Sequence, residues 1–113
     1  MAEDLLSADF VDHTPFPGFG KTRDDVKSLF RVLREAFPDL RAEINEQFVD
    51  GDGERVGTRK TFHGTHRGPF AGIPATGRAV TIRVMDFVRI RDGKMLEHWN
   101  VVDVAGLIAQ LQN

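Results

Sequence analysis

The sequence predicts an α+β domain in which a curved, mainly antiparallel sheet wraps around helices and one apolar pocket. Three observations carry this expectation. Apolar residues recur with period two in four runs between Leu40 and Asp103, the segment Thr22–Phe37 has helical spacing, and Asp92-Gly93 separates the last two runs as a hairpin signature. A length of 113 residues suits a single domain over positions 1–113 with one core and one main pocket. Apolar residues at 41% and charged residues at 28% match a folded globular chain.

The elements follow in order. Thr14-Pro15-Phe16-Pro17-Gly18-Phe19-Gly20 reads as a loop carrying aromatic side chains. Thr22 with Asp25 three positions on resembles a capping box, and Val26, Leu29, Phe30, Leu33 and Phe37 form the stripe of an amphipathic helix that Pro38 ends. Leu40–Val49 and Arg55–Thr65 are strands around the turn Asp50-Gly51-Asp52-Gly53, and His66–Gly77 is a loop rich in Gly and Pro. Arg78–Arg91 and Lys94–Asp103 form the last hairpin, and Val104–Leu111 is a short helix with Leu107, Ile108 and Leu111 on one stripe. A two-residue loop at Asp92-Gly93 sets an expected register: Ile90 opposite Met95, Val88 opposite Glu97, Asp86 opposite Trp99, Val84 opposite Val101 and Ile82 opposite Asp103. The other face then carries Arg83, Met85, Phe87 and Arg89 against Leu96, His98, Asn100 and Val102, apolar enough to suggest a homodimer surface on the outside of the sheet.

Charge excludes some functions. Lys and Arg number 15 against 17 Asp and Glu, with no basic stripe, so no nucleic-acid partner is expected. The acidic start Met1-Ala2-Glu3-Asp4 lacks the order of a signal peptide, no segment suits a membrane, and the expected location is cytoplasmic. Without cysteine there is no disulfide or thiolate nucleophile, so any chemistry uses oxygen and nitrogen groups. His63 and His66 have an H-x-x-H spacing but no obvious third ligand, and no metal is expected. No dinucleotide or phosphate-binding glycine motif is present, so no cofactor is expected either.

In the expected register Asp86, Glu97 and Asp103 share an apolar face with Trp99. Carboxylates there are costly unless paired or lining a cavity, and burial would raise their pKa into the range useful for general acid–base work. Asp103 has a plainer use as the cap of the last helix, Asp86 as the partner of an Arg or of His13, and Glu97 as half of a surface ion pair. His13 could hold or relay a proton beside them. Trp99 reads as pocket wall or core.

The run Gly64-Thr65-His66-Arg67-Gly68-Pro69-Phe70-Ala71-Gly72-Ile73-Pro74-Ala75-Thr76-Gly77-Arg78, followed by Asp92-Gly93-Lys94-Met95-Leu96-Glu97-His98-Trp99, resembles the SnoaL-like polyketide cyclases of the NTF2-like superfamily. Phe10-Val11-Asp12-His13, Ala36-Phe37-Pro38-Asp39-Leu40 and Val102-Asp103-Val104-Ala105-Gly106-Leu107 extend the similarity over nearly the whole chain. The resemblance implies an NTF2-like cone with a deep pocket, dimerisation through the sheet, and ring closure of an aromatic polyketide ester by intramolecular aldol condensation without metal or cofactor. It matches the family's acidic residue to Asp103. His13 and Asp86 would orient it or relay protons, and Trp99, Phe70, Glu97 and Phe10 would meet a small apolar organic substrate. Family members begin with a longer helix, so Met1–Ser7 implies a shortened N-terminal helix and a more open pocket, or one covered by a second subunit.

Two classes of function compete at this point. One is a cyclase, isomerase or hydrolase acting by proton transfer, with an epoxide or ester hydrolase the nearest variant. The other is a non-catalytic module that holds a small ligand or a partner.

Overall fold

A computed structural model describes residues 5–112 of the chain, so the expected shortened N-terminal helix lies mostly outside the described residues. Leu6 and Ser7, placed in it by sequence, belong instead to a strand, β1 (Leu6–Asp12). The further elements are α1 (Arg23–Ala36), β2 (Arg41–Val49), β3 (Arg55–Thr65), β4 (Ala79–Arg91), β5 (Lys94–Val102) and α2 (Val104–Gln112). The strands form one sheet in the order β1-β5-β4-β3-β2, with β1 parallel to β5 and the other pairs antiparallel. This is the α+β architecture expected of the cone, and the sheet is curved and not closed. Among the described residues no helix is long and apolar enough to cross a membrane.

Local chemistry accounts for the boundaries. The Asp25 backbone N–H donates to Thr22 Oγ1 at 3.2 Å, and the Thr22 N–H donates to Asp25 Oδ2 at 3.0 Å, so the expected capping box starts α1. Asp92 and Gly93 have φ of 53° and 76°, the left-handed pair that a type I′ turn needs, and Arg91 faces Lys94 across it.

One residue past Met95 the expected register fails. Ile90 faces Met95, but Arg89 faces Glu97, which leaves Leu96 as the extra residue of a β-bulge. Because side chains alternate, a shift of one moves everything beyond it to the other face. Phe87 therefore faces Trp99, Asp86 faces Asn100 and Val84 faces Val102. This corrects both expected faces: His98, Asn100 and Val102 lie on the inner side with Asp86, whereas Glu97, Trp99 and Val101 lie on the outer side with Phe87 and Met85.

The hydrophobic core occupies one end of the inner face, where Phe37, Phe70, Val80, Ile82, Val84, Leu107 and Leu111 are buried together. The stripe of α1 is buried only at its C-terminal end, at Ala36 and Phe37, while Phe30 remains 41% exposed. The loop after β3 returns to the end of this helix, where the Arg67 and Gly68 N–H groups donate to Ala36 O. A Cβ at Gly68 would strike the Glu35 carbonyl oxygen, so glycine is required by that close approach. Asp103 caps α2: its Oδ1 accepts the Gly106 N–H at 2.9 Å.

Candidate active site

Beyond the core, the inner face turns polar, and pairing dictates which side chains meet there. Thr58 faces Asp86 and Lys60 faces Val84, so Lys60 projects inward between Thr58 and Phe62. Its Nζ lies 2.6 Å from Asp86 Oδ2 and 5.4 Å from the centre of the Phe62 ring. The Asp86 side chain is 5% exposed and that of Lys60 22%. His98 Nε2 lies 3.8 Å from the same Asp86 oxygen, and its Nδ1 lies 3.3 Å from Asp12 Oδ1. An ionised carboxylate can only accept, so Nδ1 is the donor to Asp12 and Nε2 is left toward Asp86.

Asp12 reaches this point because β1 runs parallel to β5, with Asp12 opposite His98 and the His13 N–H donating to His98 O at 2.9 Å. Asp12 also accepts the Thr14 N–H at 3.1 Å, and Phe10 stacks beside the His98 ring at 6.5 Å. Asp12, His98, Asp86 and Lys60 thus form one continuous chain of acid and base groups, with Asp12 and Asp86 both buried at the side chain.

The Asp86 pKa is lowered, opposite to the sequence expectation. Burial alone pushes it up, but the His98 ring and the Lys60 ammonium together outweigh that and hold the carboxyl below the ordinary range. The group is an ionised base at neutral pH, with the Lys60 ammonium in contact on one side and the His98 ring on the other.

A second cluster lies on the outer face. His13 Nε2 is 2.8 Å from Glu97 Oε2, Arg89 Nε is 3.4 Å from Glu97 Oε1, and the His13 ring stacks on Trp99 at 4.6 Å and 11°. Phe87 meets Trp99 edge-on at 5.6 Å. Glu97 therefore has the ion-pair use that sequence suggested. His13 and Trp99 are brought together, but on the face opposite the Asp86 carboxylate, and the bulge at Leu96 is the reason.

Asp103, expected to be the base, joins neither cluster. Besides capping α2, its Oδ2 lies 3.1 Å from Arg83 Nη2, and the side chain is 38% exposed. The Gly106 N–H and then Arg83 hold its pKa below the ordinary value. Phe70, expected as pocket wall, is core, packed on Phe37 at 5.5 Å and Phe16 at 6.0 Å. His63 and His66 take separate partners: His63 Nε2 lies 2.8 Å from Glu43, while buried His66 accepts the Thr76 N–H at Nδ1.

The pockets on the described residues include two open ones. A pocket of about 310 Å³ is lined by Thr14, Met85, Asp86, Phe87, Trp99, Asn100 and Val101, and one of about 290 Å³ lies at the far end of the sheet around Arg41, His63 and Gln110. Sequence reasoning missed Asp12, His98 and Lys60. The pairing of Phe62 with Ile82 would have revealed Lys60 by parity along β3.

The family model for SnoaL-like polyketide cyclases matches residues 1–111. Two relatives, the aklanonic acid methyl ester cyclases DnrD of Streptomyces peucetius and DauD of Streptomyces sp. (strain C5), are each 33% identical over 79 residues. That alignment covers 70% of this chain but 54% and 48% of the two relatives, so the match spans about half their length. Among solved structures, IdmH of Streptomyces antibioticus, a proposed polyketide cyclase, superposes with a TM-score of 0.84 at 29% identity, over 99% of this chain and 85% of that one. AclR of Streptomyces galilaeus, a proposed hydroxylase, gives a TM-score of 0.83 at 30% identity, over 95% and 77%. A match over nearly the entire chain, on a fold whose neighbours include a proposed cyclase, means that this chain belongs to the SnoaL-like polyketide cyclase family.

Proposed function

We propose that the chain is an enzyme of the cyclase type, closing a ring in a small polyketide-like ester by proton transfer with its own side chains and no cofactor. The observation that supports this reading is the buried Asp86 carboxylate, shared by Lys60 and His98 and backed by Asp12. The base is therefore Asp86 and not Asp103, whose oxygens serve a helix end and an arginine.

A hydrogen on carbon between two carbonyls is already acidic, so an ionised, positioned carboxylate suffices to remove it. Asp86 takes this proton, and the enolate carbon attacks a second carbonyl of the same folded molecule. The new alkoxide is protonated from the Asp86 carboxyl, which regenerates the base. Asp12 fixes the His98 ring, and between the two transfers, when Asp86 is protonated, His98 Nε2 faces its carboxyl as an acceptor. A lowered pKa makes Asp86 a weaker base, and the Lys60 ammonium offsets this by stabilising negative charge on the enolate oxygen.

Aklanonic acid methyl ester, the substrate named for the two relatives, is the first compound to test. The wild-type chain should close its ring and speed deuterium uptake at the acidic carbon in heavy water. Asp86→Asn should lose both by at least about 100-fold, and full activity in that variant would remove Asp86 as the base. The outer sheet face, where Met85 and Val101 are 61% and 74% exposed, pairs with a second copy in this reading. Sedimentation should show a dimer that Met85→Lys dissociates, and monomers at micromolar wild-type concentration would refute the pairing.

A further inference from the structure

We propose that Lys60 is a covalent catalytic residue whose amine condenses with a carbonyl of a 1,3-dicarbonyl substrate to give an enamine. The proposal rests on the reading that the inner face takes a carbonyl substrate, but not on Asp86 attacking a substrate C–H bond unaided.

The chain contains four lysines, Lys21, Lys27, Lys60 and Lys94, and no cysteine. Lys60 is the one set inside the sheet, on the face that carries the core, between the Phe62 ring and Asp86. A nucleophilic amine needs a nearby group to take its proton, a route for the carbonyl to approach, and an acid to expel water. The 2.6 Å contact supplies the first, because it gives the Nζ proton a direct path to Asp86 Oδ2 once water has left the pair. The remaining 22% exposure of the side chain supplies the second. Protonated Asp86 supplies the third. His98 Nε2 faces the same oxygen at 3.8 Å as an acceptor for the protonated carboxyl. An apolar substrate displaces water from the pair and favours the neutral amine and acid over two desolvated ions.

The steps balance. The ammonium proton passes to Asp86, and the Nζ lone pair adds to the carbonyl carbon while a proton moves from nitrogen to the oxygen. Asp86 then protonates the resulting hydroxyl, which leaves as water and gives an iminium. The regenerated carboxylate removes a proton from the adjacent carbon, leaving a neutral enamine and a protonated Asp86. The enamine carbon is the same carbon that an enolate would use to close the ring, so the lysine provides a covalent route to the nucleophile with no external oxidant or reductant.

The test uses pentane-2,4-dione, a minimal 1,3-dicarbonyl whose lysine enamine is stable enough for mass analysis. The full-length protein is treated at neutral pH and the four lysine-containing peptides are quantified over time. Lys60 should be modified at least about tenfold faster than Lys21, Lys27 and Lys94. Lys60→Arg, which keeps the cation beside Asp86, should abolish the fast adduct and leave the other three rates unchanged. Asp86→Asn should slow labelling of Lys60 by about tenfold. Labelling of Lys60 no faster than the others, or unaffected by Asp86→Asn, overturns the proposal. Deuterium uptake in Lys60→Arg separates the two readings: Asp86-dependent exchange that survives in Lys60→Arg, with no fast Lys60 adduct in the wild type, defeats only the lysine proposal, and a fast Lys60 adduct with exchange lost in Lys60→Arg defeats only the unaided enolate mechanism.

Discussion

The two faces of the sheet each carry a histidine against a carboxylate, and they differ mainly in access to water. On the inner face His98 sits between Asp12 and Asp86, whose side chains are almost fully buried. On the outer face His13 meets Glu97 with both partners partly in solvent. An exposed pair of this kind contributes between 0 and about 1 kcal/mol, whereas removing one member of a buried pair leaves a stranded charge. The same residue types thus serve as surface trim in one place and as a reactive relay in the other.

Exchanging the two rings, His98→Trp together with Trp99→His, is the most severe way to break this contrast. It sets an indole between the buried carboxylates of Asp12 and Asp86 and leaves neither with its histidine, and we expect the cooperative thermal transition to disappear. A double variant that melts like the wild type would show that the inner face does not depend on which ring it holds. Next in size is the rate effect: Asp86→Asn should cost at least about 100-fold in deuterium exchange, while Glu97→Gln should cost less than about twofold if the outer pair stays out of the chemistry. Chemical denaturation gives the next comparison. Lys60→Met should destabilise by about 3 kcal/mol because it strips the cation from buried Asp86, and Arg89→Met by no more than about 1 kcal/mol.

The smallest effect is the acid response. The folded-state pKa of Asp86 is depressed, so its contribution to stability is present above the unfolded value of about 4 and is lost as pH falls through the lower folded value. The wild type should lose stability in that window, and Asp86→Asn should flatten the slope there. An unchanged slope would mean that Asp86 titrates alike in both states.

Much of this architecture was legible from residues whose side chains act locally. Thr22 and Asp25 announce their helix because a capping box involves four neighbouring positions, and Asp92-Gly93 announces its turn because few pairs accept two positive φ values. Asp103 was legible as a possible cap for the same reason. The site was harder to read because it depends on pairings distant in sequence. Leu96 is an ordinary apolar residue with no bulge signature, yet it decides that His98 and not Trp99 joins Asp86. Likewise β1 has no clean alternation in Leu6-Ser7-Ala8-Asp9-Phe10-Val11-Asp12, and Asp12 acquires its role only through the parallel contact with β5.

The extra residue in β5 also bears on how such a scaffold could be altered. Since His98 and Trp99 are adjacent in the chain yet serve opposite surfaces, mutations two apart along this strand accumulate on one surface and leave the other untouched. A library varying positions 98, 100 and 102 would reshape the reactive side alone, and one varying 97, 99 and 101 would reshape the side turned away from it. Alternation alone separates these two traits so that each can be selected without disturbing the other, and the extra residue at Leu96 decides which of the two sets is the reactive one.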